Sequence, residues 1–201
     1  ATTPLIDIGF NNLTGTFNGA TKVFTATDNS VTNGSVQRLM PPTGTAYYVG
    51  PFAGSADFTM SMNISNVTAS TADGAGSFTI IDVDGTTFLG DLNGTWTYVN
   101  LGIIKYASFA GLVTNAVFGG NADGTFDGPN GGSFSTDFSP ISMPLYGAIV
   151  TLRIGEDWFT GPGFTGTVEN LVIKIIPAPG ALLLAALGLG GLGLIRRRFS
   201  A

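Results

Sequence analysis

Residues 57–65 read DFTMSMNIS, and their alternation decides the fold class. Phe58, Met60, Met62 and Ile64 fall on one side; Thr59, Ser61, Asn63 and Ser65 fall on the other. Successive side chains of a strand point to opposite faces, so this is a strand with one buried and one wetted face. A sheet that faces water on one side is characteristically antiparallel. Residues 147–154 repeat the pattern, with Ala148, Val150, Leu152 and Ile154 set against Ile149, Thr151 and Arg153. Leu171, Ile173 and Ile175 form the inner row of a further strand.

Working outward, short apolar runs between Gly, Asn and Asp punctuation predict strands at 4–10, 22–27, 35–39, 46–49, 77–83, 95–101 and 132–138. Asp82-Val83-Asp84-Gly85 and Asp91-Leu92-Asn93-Gly94 carry Asp-Gly and Asn-Gly turn signals. The expected fold is all-β: an antiparallel two-sheet sandwich or jelly roll. Residues 105–118 stand apart. Tyr106, Phe109, Ala110, Val113 and Val117 recur at helical spacing and Gly119-Gly120 follow, so a short helix competes there with two strands. Residues 119–138 read as a long loop carrying Asp123, Asp127, Asn130 and Asp137, with the strand-like 132–138 at its end.

Composition excludes much chemistry. The chain of 201 residues has no His and no Cys. Ser-His-Asp and Cys-His catalysis, His/Cys zinc sites and Cys-ligated clusters therefore cannot be built from it. No disulfide can staple the domain, which must rely on its core. Residues 1–176 carry all 13 acids against Lys22, Arg38, Lys105, Arg153 and Lys174. Such a balance excludes nucleic-acid binding by phosphate neutralisation and repels anionic headgroups.

Carboxylate chemistry survives this filter. Asp82 and Asp84 lie two apart, Asp123 and Asp127 sit in the glycine-rich loop, and Glu156-Asp157 precede Trp158. Asp oxygens with backbone carbonyls suit a structural calcium, although no EF-hand spacing is present. The simpler reading is turn-forming Asp, with no cofactor and no catalytic residue. Trp96, Tyr98, Tyr47, Tyr48, Trp158 and Phe159 are either core or a sugar-stacking platform; aromatics in such folds are mostly core. Asn12, Asn33, Asn63, Asn66 and Asn93 head Asn-x-Ser/Thr sequons of the kind that arise by chance in a chain rich in these residues.

The last segment reads IPAPGALLLAALGLGGLGLIRRRFSA from Ile176. No charge lies between Lys174 and Arg196, and that run as helix is about 31 Å long, the hydrocarbon thickness of a bilayer. Pro177 and Pro179 make a hinge, since proline is tolerated only at the first turn of a helix. Arg196, Arg197 and Arg198 directly after the run predict a cytoplasmic C-terminus. The expected organisation is an extracytoplasmic β domain at 1–176, hinge and transmembrane helix at 177–195, and a cytoplasmic Arg-rich tail at 196–201. The chain opens at Ala1 with no apolar leader, which fits a signal peptide already removed. Ala186, Gly188, Gly190, Gly191 and Gly193 form a small-residue face that would let a neighbouring helix approach closely.

The tail resembles a PEP-CTERM sorting signal: a Pro-X-Pro step, an apolar helix and a terminal arginine cluster. Pro177, Pro179 and Arg196 to Arg198 occupy the matching positions, and Ala178 stands where that family most often has Glu. The resemblance implies a bacterial envelope protein cut by an exosortase near the Pro-X-Pro step, and implies nothing about the domain's activity. The functional expectation is a non-enzymatic, membrane-anchored structural or interaction protein, single-pass, with its β domain periplasmic or extracellular. An accessory subunit of a large respiratory, photosynthetic or transport complex is the first alternative. A polysaccharide-binding envelope or matrix protein is the second.

Overall fold

The computed structural model describes residues 5–52, 57–120, 123–138, 145–154 and 158–176. Thirteen strands are present: β1 (Ile6–Asn11), β2 (Leu13–Asn18), β3 (Val23–Thr27), β4 (Asn33–Arg38), β5 (Gly44–Val49), β6 (Phe58–Ser65), β7 (Thr71–Ile81), β8 (Thr86–Asn100), β9 (Lys105–Gly120), β10 (Thr125–Asp127), β11 (Ser133–Ser135), β12 (Leu145–Ile154) and β13 (Gly163–Ile176). Every pairing is antiparallel. The expected all-β antiparallel class is therefore the observed one, and it is consistent with a sandwich.

The ladder closes on itself. β12 pairs with both β9 and β13, and β13 pairs with β2, so β2, β3, β6, β7, β8, β9, β12 and β13 form a ring. Closure removes the exposed edges that an open sheet must otherwise protect. β1 and β2 are one strand interrupted at Asn12, because both hold the same register against β13. On its other side β1 pairs with β4, whereas β2 pairs with β3. The sheet splits at Asn12, whose φ of 60 is a left-handed value that Asn tolerates. Asn29 Nδ2 and Thr32 Oγ1 both donate to the Asn12 carbonyl, at 2.8 and 2.9 Å, and tie down the branch. β4 and β5 thereby leave the ring as a flap, whose outer edge is covered by the loop at 128–132 through Tyr47 N–Gly131 O and Asn130 N–Tyr47 O.

Side chains from opposite sides of the ring meet in an aromatic core. Phe24 on β3 packs edge-on against Trp96 on β8, with centroids 5.1 Å apart, although three ladder steps separate these strands. The outward face is polar: Thr59, Ser61, Asn63 and Ser65 are exposed on β6, and Asp91, Asn93, Thr95 and Thr97 on β8. That is the reverse of a lipid-facing barrel, whose apolar row points outward. Among the described residues no helix is long and apolar enough to cross a membrane. The segment from Pro177 through Arg198, with Pro179 and the small residues Ala186 to Gly193, lies outside the described residues.

Three local expectations are corrected. Residues 105–118, where a helix competed with two strands, belong to the single strand β9. Ala107, Phe109 and Val113 point inward, and then the phase jumps to Ala116. The jump is a bulge at Asn115, φ 53, where the β8–β9 register slips between Leu89 and Asp91. The helical spacing arose by mixing faces, since Phe109 and Val113 are buried whereas Ala110 is exposed on the other side. Second, Asn93-Gly94 is not a turn; it lies within β8, hydrogen-bonded on both sides. Gly94 serves close approach, because a Cβ there would stand 2.3 Å from the Ala110 carbonyl oxygen of β9. Third, the long loop at 119–138 contains the β10–β11 hairpin. β2 was not expected at all, since Gly15 between Leu13 and Phe17 hides its inner row.

Candidate functional site

The registers give the domain two distinct ends. β13 finishes at Ile176 beside Tyr146, and the same end holds the β9 terminus at Gly120 opposite Thr86. This is the exit end, from which the apolar C-terminal sequence departs. The far end holds the β8–β9 turn, where Asn100 faces Lys105, and the β2–β3 turn beside Gly163.

The four acids singled out by sequence meet at the exit end. Asp82 Oδ1 accepts from the backbone N–H of Asp84 (3.1 Å) and Thr86 (2.8 Å), closing the β7–β8 turn as expected. Its Oδ2 accepts from Asp127 N–H at 3.2 Å, and Val83 N–H returns a bond to the Asp127 carbonyl. Asp84 Oδ1 takes the Thr86 N–H and hydroxyl, both at 2.9 Å. Thr125 binds Asp123 through its N–H (2.8 Å), and its hydroxyl lies 2.8 Å from Asp123 Oδ1 and 2.6 Å from Asp127 Oδ2. These carboxylates are held by backbone amides and threonine hydroxyls of their own turns and, for Asp82, by the Asp127 amide of the β10–β11 hairpin. Among the described residues no group of three or more His, Cys, Asp or Glu could hold a metal ion. Glu156 and Asp157 lie outside the described residues.

Two further acids escaped the sequence reading. Asp28 and Asp57 are both buried at this end. Asp57 Oδ2 accepts from Phe52 N–H at 2.9 Å; Asp28 Oδ1 accepts from Phe58 N–H at 3.3 Å, and its Oδ2 is buried with no partner. Neither sits in a motif, so only their burial reveals them. Tyr48 reaches this cluster and donates to the Ile81 carbonyl at 3.3 Å. Burial, reinforced by the charges of Asp82, Asp57 and Asp127, pushes the Tyr48 phenol well above its ordinary range.

Burial also raises the Asp82 carboxyl from 3.8 to about 6, with its hydrogen bond to Asp84 adding to the shift. Asp57 moves up for the same first reason, burial, while Asp84 moves down because it is hydrogen-bonded by Asp82 and Thr86. A raised carboxyl binds its proton more tightly folded than unfolded. The contribution is present below about pH 4 and is lost as pH rises through about 6. The urea midpoint is therefore expected to fall between pH 4 and 7, and Asp82→Asn to flatten that fall while losing the bond from Asp127 at every pH. An unchanged slope in the variant would assign the pH dependence elsewhere.

The aromatic candidates divide. Trp96, Tyr48 and Phe159 are core residues, each at most 2 % exposed. Tyr98 stacks on Trp158 at the far end, centroids 5.2 Å apart, and Trp158 Nε1 donates to the Thr68 carbonyl at 2.7 Å. With Ala69, Thr160 and Gly161 they line an open cavity of about 500 Å³. Tyr47 is half exposed on the flap and borders a trough of about 350 Å³ floored at Gly9, where no side chain fills the space, and edged by Asn11 and Asn33. An exposed ring beside amides is the chemistry that stacks and hydrogen-bonds a neutral sugar. Trp96 and Tyr98 share one face of β8, and that face is the inner one.

No family model matches the chain, and neither a curated protein nor a solved structure matches it.

Proposed function

We propose that this chain is a non-catalytic, membrane-anchored interaction protein of a bacterial envelope, held by a single transmembrane helix at 177–195. The observation that carries the reading is the junction at Ile176. β13 stays paired through Ile175 with β1 and through Ile176 with β12, and the apolar run begins at the next residue. A helix there would hold the exit end near the bilayer and direct the far end away from it. Acids such as Asp84 and Asp123 at the exit end favour standoff from anionic headgroups. The chemistry of the domain supports the non-catalytic part, since the acids at its turns are engaged as turn closures. The Pro-Ala-Pro step and the arginine cluster, by resemblance, support delivery by an exosortase.

The test is the intact mass of the endogenous protein from the membrane fraction of its own cells. A species ending near Pro177 is expected if the tail is an address. A mass spanning Ala1 to Ala201 in every fraction overturns processing and favours the second reading, an accessory subunit of a larger membrane complex. The face built by Ala186, Gly188, Gly190, Gly191 and Gly193 favours that reading. Under it, Leu at Gly188, Gly190 and Gly191 is expected to release the subunit from its complex on affinity purification. Unchanged co-purification would count against helix packing.

A further inference from the structure

The β8–β9 turn is unusual for a polar-faced domain. Its sequence is Asn100-Leu101-Gly102-Ile103-Ile104-Lys105, and Leu101, Ile103 and Ile104 are 70, 100 and 52 % exposed. The turn is closed within itself: Leu101 N–H donates to the Ile104 carbonyl at 2.8 Å, and Gly102 N–H to Asn100 Oδ1 at 3.1 Å. Gly102 has a φ of 83, a value that suits glycine and keeps the turn tight. Below the tip stand Lys105 and the half-buried Tyr98. Lys22 lies in the β2–β3 turn, across the ring from this hairpin.

No acid lies in the tip itself or in the described loops 18–22, 66–70 and 158–162, although Glu156 and Asp157 precede the last of these in sequence; Asp28, Asp57, Asp82, Asp84, Asp123 and Asp127 gather at the exit end. Asp73, just inside β7, is engaged by Asn66 Nδ2 at 2.7 Å. We infer that the β8–β9 tip is a membrane-inserting element: Leu101, Ile103 and Ile104 enter the acyl boundary of a bilayer, and Lys105 meets anionic headgroups. Lys105, on the rung directly below the tip opposite Asn100, can carry its ammonium to the headgroup level while the three apolar side chains sit deeper. Three side chains on one turn fall far short of the roughly 800 Å² per partner that a stable dimer buries, whereas a bilayer needs no complementary surface. The tip points away from Ile176, so a chain anchored by its tail would present it to a second, facing membrane. That last step rests on the tail reading; insertion of the tip does not.

The absence of cysteine allows a clean test on the full chain. Ile103→Cys and, on the polar side of β8, Asn93→Cys are labelled with an environment-sensitive fluorophore. The labelled chains are mixed with vesicles of phosphatidylcholine with or without phosphatidylglycerol, and spin-labelled lipid serves as quencher. Expected is a blue shift and quenching at 103, stronger with phosphatidylglycerol, and no response at 93. Adding Leu101→Asn and Ile104→Asn should weaken the response at 103 by about tenfold or more. Vesicles that bind protein while the probe at 103 stays in water overturn the proposal, as does no binding at all. A concentration-dependent blue shift at 103 without vesicles overturns it in favour of self-association. Vesicle clustering tests the tail separately: insertion at 103 without clustering preserves the tip proposal and removes the bridging one.

Discussion

Trp96→Ala is expected to destabilise the domain by about 3–5 kcal/mol, the range for deleting a large buried aromatic. Trp96 is 0 % exposed and touches three rings, Phe24, Phe109 and Phe159, with centroids 5.1, 5.4 and 5.0 Å away. Phe109 is its own ladder partner on β9, while Phe24 on β3 and Phe159 before β13 belong to parts of the ring that β8 does not pair with, so the indole joins them across the core. Space for it is made at Gly74 of β7, where a Cβ would stand 2.9 Å from Nε1. The indole N–H itself has no hydrogen-bond partner. Trp96→Phe should therefore cost much less, about 1–2 kcal/mol, because it keeps one ring and removes an unpaired buried donor. Urea unfolding of both variants checks the pair. Equal losses would mean that the N–H is satisfied, and a small loss for Ala would mean that the ring is not a packing centre.

Arg38→Met should cost at least about 3 kcal/mol, for a different reason. Arg38 is buried, and its guanidinium donates to carbonyls rather than to a carboxylate: Met40 O at 3.1 Å, Ser135 O at 2.5 Å and Asp137 O at 2.7 Å. It also lies over the Phe138 ring, 4.3 Å from the centroid. The cation thus pins the chain after β11 onto the end of β4. Methionine fills much of the volume but leaves these acceptors, and the Pro41 carbonyl at 3.5 Å, without the guanidinium donors. Arg38→Lys keeps the charge without the planar fork and should recover only part of the loss. Proteolysis is expected to begin at the β10–β11 region in Arg38→Met, with denaturant unfolding giving the magnitude. Cleavage elsewhere first would show that the clamp is not what holds this segment.

The turn at Asp82 to Gly85 was legible because its chemistry is local: the carboxylate reaches amides two and four residues on. The Asn93-Gly94 signal has the same local form, yet β7 and β9 pair with it on both sides and override it. Of the candidate site, the acids could be named from sequence, but not that they would gather at one end with Asp28 and Asp57. Those two are separated by 29 positions and meet only because Thr27 pairs with Thr59.

Sequence alone determined the strand class, through alternation at 57–65, and the exclusion of His and Cys chemistry. It also supplied the grounds for a membrane anchor, in an uncharged run ended by three arginines. These are properties of spacing and residue type, readable without partners. Tertiary structure decided closure of the ladder, the branch at Asn12, which aromatics are core, and the contrast between the acids gathered at the exit end and the exposed apolar β8–β9 tip at the far end. Each depends on register between distant strands, and register is set by the whole inner surface burying itself at once rather than by any one segment.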